Sequence, residues 1–176
     1  MWENTIVIFT SDHGCHFRTR NAEYKRSCHE NSIHVPLVIG GGAYERRGRN
    51  SGLVSLIDIP PTLLDFAGAE IPEHFRGRSL LKEAKRESVY IQISESQTGR
   101  AVRTEKWKFS VSSKQNGSAF EKKYTEEFLY DLENDPFEKN NLIGRPEYRG
   151  ICDSLTELIK GYMKQANEPD AEIIKA

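Results

Sequence analysis

Residues 5–14 read Thr5-Ile6-Val7-Ile8-Phe9-Thr10-Ser11-Asp12-His13-Gly14. The first five form a continuous apolar, β-branched run, the pattern of a strand buried on both faces in a parallel α/β sheet. The polar group that follows falls at the strand's carboxyl end, the edge where open α/β sheets bind ligands. A carboxylate and an imidazole there, with a glycine that lets the backbone turn sharply, make a metal or acid–base arrangement. Asp12 would supply a hard oxygen ligand, and His13 a nitrogen ligand or a proton relay. Lys25 lies in the polar, basic stretch from Cys15 to Asn31, with Arg18, Arg20 and Arg26. It is a point charge for an anionic group of a substrate. Taken singly, the three also read as a loop cap, a hydrogen-bonded turn residue and a solvated cation.

Outward from this stretch, Val35-Pro36-Leu37-Val38-Ile39 is a second apolar strand, closed by Gly40-Gly41-Gly42, and Arg46-Arg47-Gly48-Arg49 reads as an exposed turn. Ser55 to Ala67 places Leu56, Ile59, Leu63, Leu64 and Ala67 at helical spacing. Asp58 is its candidate cap, Pro60 and Pro61 fit the first turn, and Gly68 stops it. After an irregular, charged stretch to Arg86 the character changes. Ser88–Ser94, Arg100–Thr104, Lys106–Ser112 and Glu127–Leu132 read as short strands of an antiparallel meander. Ile151 to Tyr162 closes the pattern as an amphipathic helix through Leu155, Leu158, Ile159 and Tyr162. The fold class expected is α/β: the end of a mostly parallel α/β/α sheet, then a small antiparallel β subdomain with a C-terminal helix. The divisions expected are 1–86, 87–166 and a loose tail over 167–176. Two strands do not complete such a sheet, so the first part reads as the end of a larger domain.

The chain has 176 residues, with 25 Lys and Arg against 26 Asp and Glu. That balance excludes recruitment of nucleic acid or an anionic membrane by bulk charge. No apolar run approaches membrane-spanning length, and the first residues lack the features of a signal peptide. Three cysteines, Cys15, Cys28 and Cys152, do not form a disulfide framework and favour a reducing compartment, though a leader upstream of Met1 would leave localisation open. His13, Cys15, His16, Cys28 and His29 put five zinc-type donors in one loop, but without a CxxC pair. Cys15 and Cys28 read instead as packing residues.

The string from Ile6 to Gly14 resembles the second metal-binding strand of the sulfatase family, in the alkaline-phosphatase-like superfamily. Lys25-Arg26-Ser27-Cys28-His29-Glu30-Asn31-Ser32-Ile33-His34-Val35-Pro36-Leu37-Val38-Ile39 is similar to that family's segment running from a lysine into a strand. Ser55 to Leu64 resembles the helix that follows, and Phe75-Arg76-Gly77-Arg78-Ser79-Leu80-Leu81 the Gly-x-Ser-Leu turn. Arg100 to Phe109 and Leu129-Tyr130-Asp131-Leu132-Glu133-Asn134-Asp135-Pro136 resemble strands of the C-terminal subdomain. These landmarks occur in the family's order and cover nearly the whole chain.

The resemblance implies hydrolysis of sulfate esters, of small molecules or carbohydrates, by a formylglycine nucleophile beside a divalent cation. Asp12 and His13 fall on metal-site positions, and Lys25 on the lysine that binds sulfate oxygens; His16 and His29 are further candidates to assist the leaving group. Two departures follow. The chain contains no Cys/Ser-x-Pro-x-Arg motif, so formylglycine and its partner aspartates would belong to an N-terminal half outside it, and the 176 residues alone should be inactive. Many sulfatases carry Asp-Asn where this chain has Asp12-His13, and imidazole suits calcium, the family's metal, less well than manganese or another transition metal. Asp-His also occurs in phosphonate and phosphodiester hydrolases of the superfamily, which keeps phosphate transfer as an alternative. A non-catalytic anion-binding module is a third reading.

Overall fold

A computed structural model describes residues 2–42, 44, 48–82, 85–95, 97–113 and 118–176. In chain order the regular elements are β1 (Ile6–Thr10), α1 (Glu30–Ile33), β2 (Leu37–Gly41), α2 (Ile59–Phe66), β3 (Ser88–Ile93), β4 (Thr98–Thr104), β5 (Trp107–Ser113), β6 (Lys123–Asp131), α3 (Arg149–Gln165) and β7 (Glu172–Ile174). They fall into two compact units. One comprises Met1–Asp12 and Val35–Val89, the other His13–His34 and Tyr90–Ala176. Against the divisions expected at 86/87 and 166/167, the loop 13–34 goes with the later strands, and the last ten residues belong to the second unit.

In the first unit β1 and β2 pair antiparallel, with Ile8 opposite Ile39 and Phe9 opposite Val38. An apolar run specifies a strand but not the direction of its neighbour, so this pairing was not readable from the pattern. Val7, Phe9 and Val38 share one face of the pair and are exposed, because two strands alone cannot cover the face that their sequence makes apolar. The helix expected over 55–67 divides into a 3-10 turn at Leu56–Asp58 and α2. Asp58 occupies the cap position of α2 but does not cap it. Its buried carboxylate accepts the backbone N–H of Ser55 and of Arg78, each at 2.8 Å, and pairs with Arg86 at 2.5 Å. Thr62 Oγ1 accepts the Leu80 N–H at 2.9 Å. The turn through Gly77 is thereby stitched to the start of α2. Gly48 and Arg49 are exposed; Arg46 and Arg47 of the expected turn lie outside the described residues.

The second unit carries a five-stranded sheet in the order β3-β4-β5-β6-β7. β4 and β5 pair antiparallel, as do β5 and β6 with a bulge at Ser110/Val111, whereas β7 runs parallel to β6 with Tyr124 opposite Ile173. The segment read as a loose tail therefore ends in a strand. α3 buries Cys152, Leu155, Ile159 and Met163 in one cluster with Val102, Phe109, Val111, Tyr124 and Leu129. Each such Leu or Ile contributes roughly 1.5–3 kcal/mol by leaving water. The alternation Trp107, Phe109, Val111 in β5 and the three–four spacing in α3 meet in that core, which is why both were legible. Among the described residues no helix is long and apolar enough to cross a membrane.

Candidate anion-binding site

Asp12 lies two residues past the end of β1, exposed, in the first unit. His13 and Lys25 belong to the second, and the structure brings them together across twelve positions: Lys25 Nζ is 3.0 Å from His13 Nε2. His13 Nδ1 is 2.8 Å from the Gly14 carbonyl oxygen. A carbonyl only accepts and an ammonium only donates, so the ring proton sits on Nδ1 and the Nε2 lone pair faces Lys25. Tyr24, which sequence reasoning missed, completes the group. Its ring meets His13 edge-on at 6.2 Å between centroids, and Lys25 Nζ stands 5.6 Å from the Tyr24 centroid, within reach of a cation–π attraction. The only sequence signal was an aromatic beside the lysine, which does not distinguish Tyr24 from other exposed aromatics.

Gly14 holds the position of this group. Its N–H donates to the Ser32 carbonyl at 2.8 Å, tying the residue after His13 to α1. A Cβ at position 14 would stand 2.0 Å from the Asn31 carbonyl oxygen, so the close approach of two backbones requires glycine.

His16 and His29, the further candidates to assist a leaving group, are both buried. Among the described residues neither ring nitrogen of His16 has a hydrogen-bond partner. His29 Nε2 lies 3.2 Å from the Tyr130 hydroxyl, and its ring packs edge-on against Phe128. Burial, with Arg20, Lys108 and His16 nearby, pushes the pKa of His29 down to about 3. Such an imidazole stays neutral and is poorly suited to donate a proton near pH 7.

Burial raises the Cys28 thiol to about 11, against the opposing pull of Lys108, which makes it a packing residue and a poor nucleophile. Cys15 Sγ accepts the Phe17 N–H at 3.4 Å. Among the described residues no group of three or more His, Cys, Asp or Glu is arranged to hold a metal ion. The five zinc-type donors of the loop are thus not assembled into one set. Asp12 and His13, the two residues expected to hold a divalent cation, would supply two donors, fewer than the six to eight oxygens calcium takes.

The family profile described as N-sulphoglucosamine sulphohydrolase, C-terminal, matches residues 22–165. Arylsulfatase K of Bos taurus is 32% identical over 179 residues, covering 92% of this chain and 32% of its own length. N-acetylglucosamine-6-O-sulfatase of Bacteroides thetaiotaomicron is 31% identical over 186 residues, covering 96% of this chain and 32% of its own. Among solved structures, BT4656 in complex with its substrate D-glucosamine-2-N,6-O-disulfate superposes with a TM-score of 0.72 at 26% identity, covering 94% of this chain and 35% of that one. The chain therefore spans about a third of the length of the curated relatives it matches. The profile match over most of the chain, on the sheet and helix described above, establishes that it belongs to the sulfatase family of sulfuric ester hydrolases, as the C-terminal portion of such a protein.

Proposed function

We propose that this chain supplies part of the active centre of a sulfatase acting on sulfated carbohydrates. Lys25 binds the oxygens of the sulfate group, and Asp12 and His13 are ligands of a divalent cation. The observation that carries this reading is the 3.0 Å approach of Lys25 Nζ to His13 Nε2, in a chain of sulfatase family. Cleavage of a sulfate ester develops negative charge on the leaving oxygen, and a fixed ammonium beside the sulfur offsets charge on the oxygens that remain. A divalent cation bound at Asp12 and His13 would add Lewis acidity to the same end. Lys25 Nζ lies against the Nε2 lone pair, and a sulfate that drew the ammonium to its own oxygens would leave Nε2 available as a ligand atom. Nitrogen in that set favours manganese or another transition metal over calcium.

The substrate class is supported by the names of the relatives, two of which concern sulfated glucosamines. The same matches favour sulfate over phosphate esters. The formylglycine nucleophile comes from sequence outside this chain, since no Cys/Ser-x-Pro-x-Arg occurs within it. The 176 residues alone are expected to leave an aryl sulfate intact. In the full-length enzyme Lys25→Met should lower kcat/KM on glucosamine-6-sulfate by about 100-fold or more, with partial recovery in Lys25→Arg. Wild-type kinetics in Lys25→Met would overturn the assignment.

A further inference from the structure

The loop that carries His13 and Lys25 has no regular structure of its own before α1: residues 13–29 contain neither helix nor strand. A long irregular segment holds a site in place only if something outside it fixes it. Within the second unit, Glu138 meets this segment at two places. Arg20 donates from Nη1 to the Glu138 carbonyl and from Nη2 to the Phe137 carbonyl, each at 2.7 Å. The Glu138 carboxylate accepts the Glu30 backbone N–H at 2.9 Å through Oε2, and Lys108 Nζ at 2.5 Å through Oε1. Lys108 is fully buried and also forms an ion pair at 2.5 Å with Glu30 Oε1. Arg103 Nε adds a contact at 3.6 Å to the same oxygen. The backbone of Glu138 and its side chain thus grip the loop at Arg20, five residues before Lys25, and at Glu30, five residues after it.

Two further features mark position 138 as built for this purpose. Glu138 is 2% exposed, yet it is an acid, and a buried carboxylate is retained only where it is paired. Its φ is +54°, the left-handed region that side chains other than glycine enter at a cost. A turn needing only that conformation would be served by glycine. The carboxylate is what glycine lacks.

We propose that Glu138 is the positioning residue of the sulfate-binding loop: it holds Arg20 and Glu30 on either side of Lys25 and so fixes the Lys25–His13 pair. The proposal rests on the sulfate-binding reading of Lys25. Its test is built so that the two fail separately. In the full-length wild-type enzyme, inorganic sulfate is titrated by calorimetry, and amide hydrogen exchange over residues 13–34 is measured alongside. Glu138→Gln, which keeps the size and loses the charge, should speed exchange of the Gly14, His16 and Glu30 amides by about tenfold or more and weaken sulfate to a similar extent. Arg20→Met, at a half-exposed position that poses little risk to folding, should do the same on the Gly14 and His16 amides.

Glu168→Gln, which takes from the buried Arg100 its ion-pair partner at 2.7 Å, serves as the control that lowers stability away from the loop. Well below its melting temperature it should leave loop exchange and sulfate affinity as in the wild type. Unchanged exchange over 13–34 in both Glu138→Gln and Arg20→Met, or the same loosening in Glu168→Gln, overturns the positioning role. Failure of wild-type protein to bind sulfate overturns the sulfate-binding reading, and the exchange comparison still decides whether Glu138 fixes the loop.

Discussion

Arg100 and Glu168 form an ion pair at 2.7 Å with both side chains 1% exposed. Three more guanidinium donors are used: Nη1 donates to the Ile93 and Gly99 carbonyls and Nη2 to the Ala119 carbonyl. The other oxygen of Glu168 accepts from the Tyr90 hydroxyl at 2.8 Å and from Gln92 Nε2 at 2.6 Å. Burial and this carboxylate push the Tyr90 hydroxyl pKa up, so it remains a donor. A segment that sequence pattern leaves loose is therefore bound at Glu168 to β3 and β4, and four residues later it enters β7. Removing one partner strands a charge in the interior. Glu168→Gln should cost about 3–5 kcal/mol, and replacing both partners by apolar residues of similar volume should cost far less than the sum of the single changes. Urea unfolding of the three variants measures this, and additive losses would show that the two charges do not act as a pair.

What the sequence made legible and what it hid divide along one line. β1 was readable from a local apolar run, and β5, α2 and α3 from local periodic signals. The residue types of the site were readable for the same reason: Asp12, His13 and Gly14 follow a strand directly. The hidden features are all matters of distant pairing. No pattern in Leu37–Ile39 tells that β2 runs antiparallel to β1. Three residues at Glu172–Ile174 carry too little alternation to announce β7. Glu30, Lys108 and Glu138 look like ordinary surface charges until the chain brings them together, and Asp58 has the identity of a helix cap but spends its carboxylate on Ser55, Arg78 and Arg86. The Lys25–His13 approach belongs to this second group. Its residues could be named from the sequence, but their distance could not.

His29 makes stability depend on pH in a defined window. In the unfolded chain its imidazole takes a proton near 6.5, whereas in the folded protein burial and the neighbouring cations hold that step down to about 3. Between these values the unfolded state binds more protons, so stability is complete above pH 6.5 and is lost as pH falls, by up to about 1.4 kcal/mol per unit. Glu30 adds to the loss lower down. Burial raises its carboxyl, but Lys108 and Arg103 outweigh burial and leave it below its ordinary 4.5, so its contribution fades as pH falls from there. Urea midpoints between pH 7 and 5 should decline in the wild type and flatten in His29→Gln, which keeps a partner for Tyr130. A flat wild-type profile would contradict a buried neutral His29.

Gly14→Ala tests how tightly the backbone must close behind His13. The added Cβ would meet the Asn31 carbonyl oxygen at 2.0 Å, backbone that cannot swing aside as a side chain can. The hydrogen bond from Gly14 N–H to the Ser32 carbonyl should break, and His13 should move away from Lys25. An overpacking loss of about 1–3 kcal/mol is expected, together with weakened sulfate binding. Unaltered amide protection at position 14 in the variant would show that the chain accommodates the methyl group without opening.

Asp58 gives the corresponding test in the first unit, where its carboxylate receives the Ser55 and Arg78 N–H groups and the Arg86 guanidinium while 1% exposed. Asp58→Ala leaves two backbone donors and a guanidinium without their acceptor, and a loss of about 3–5 kcal/mol is expected. Asp58→Asn keeps an acceptor oxygen but presents N–H₂ on its other arm, so it can serve Arg78 or Ser55 but not both. Its loss should fall between wild type and Asp58→Ala. A helix cap would behave differently, because asparagine caps helices as well as aspartate does. Equal stability of Asp58→Asn and wild type would return Asp58 to the capping role, and a graded loss assigns it to fastening the 76–80 turn against α2.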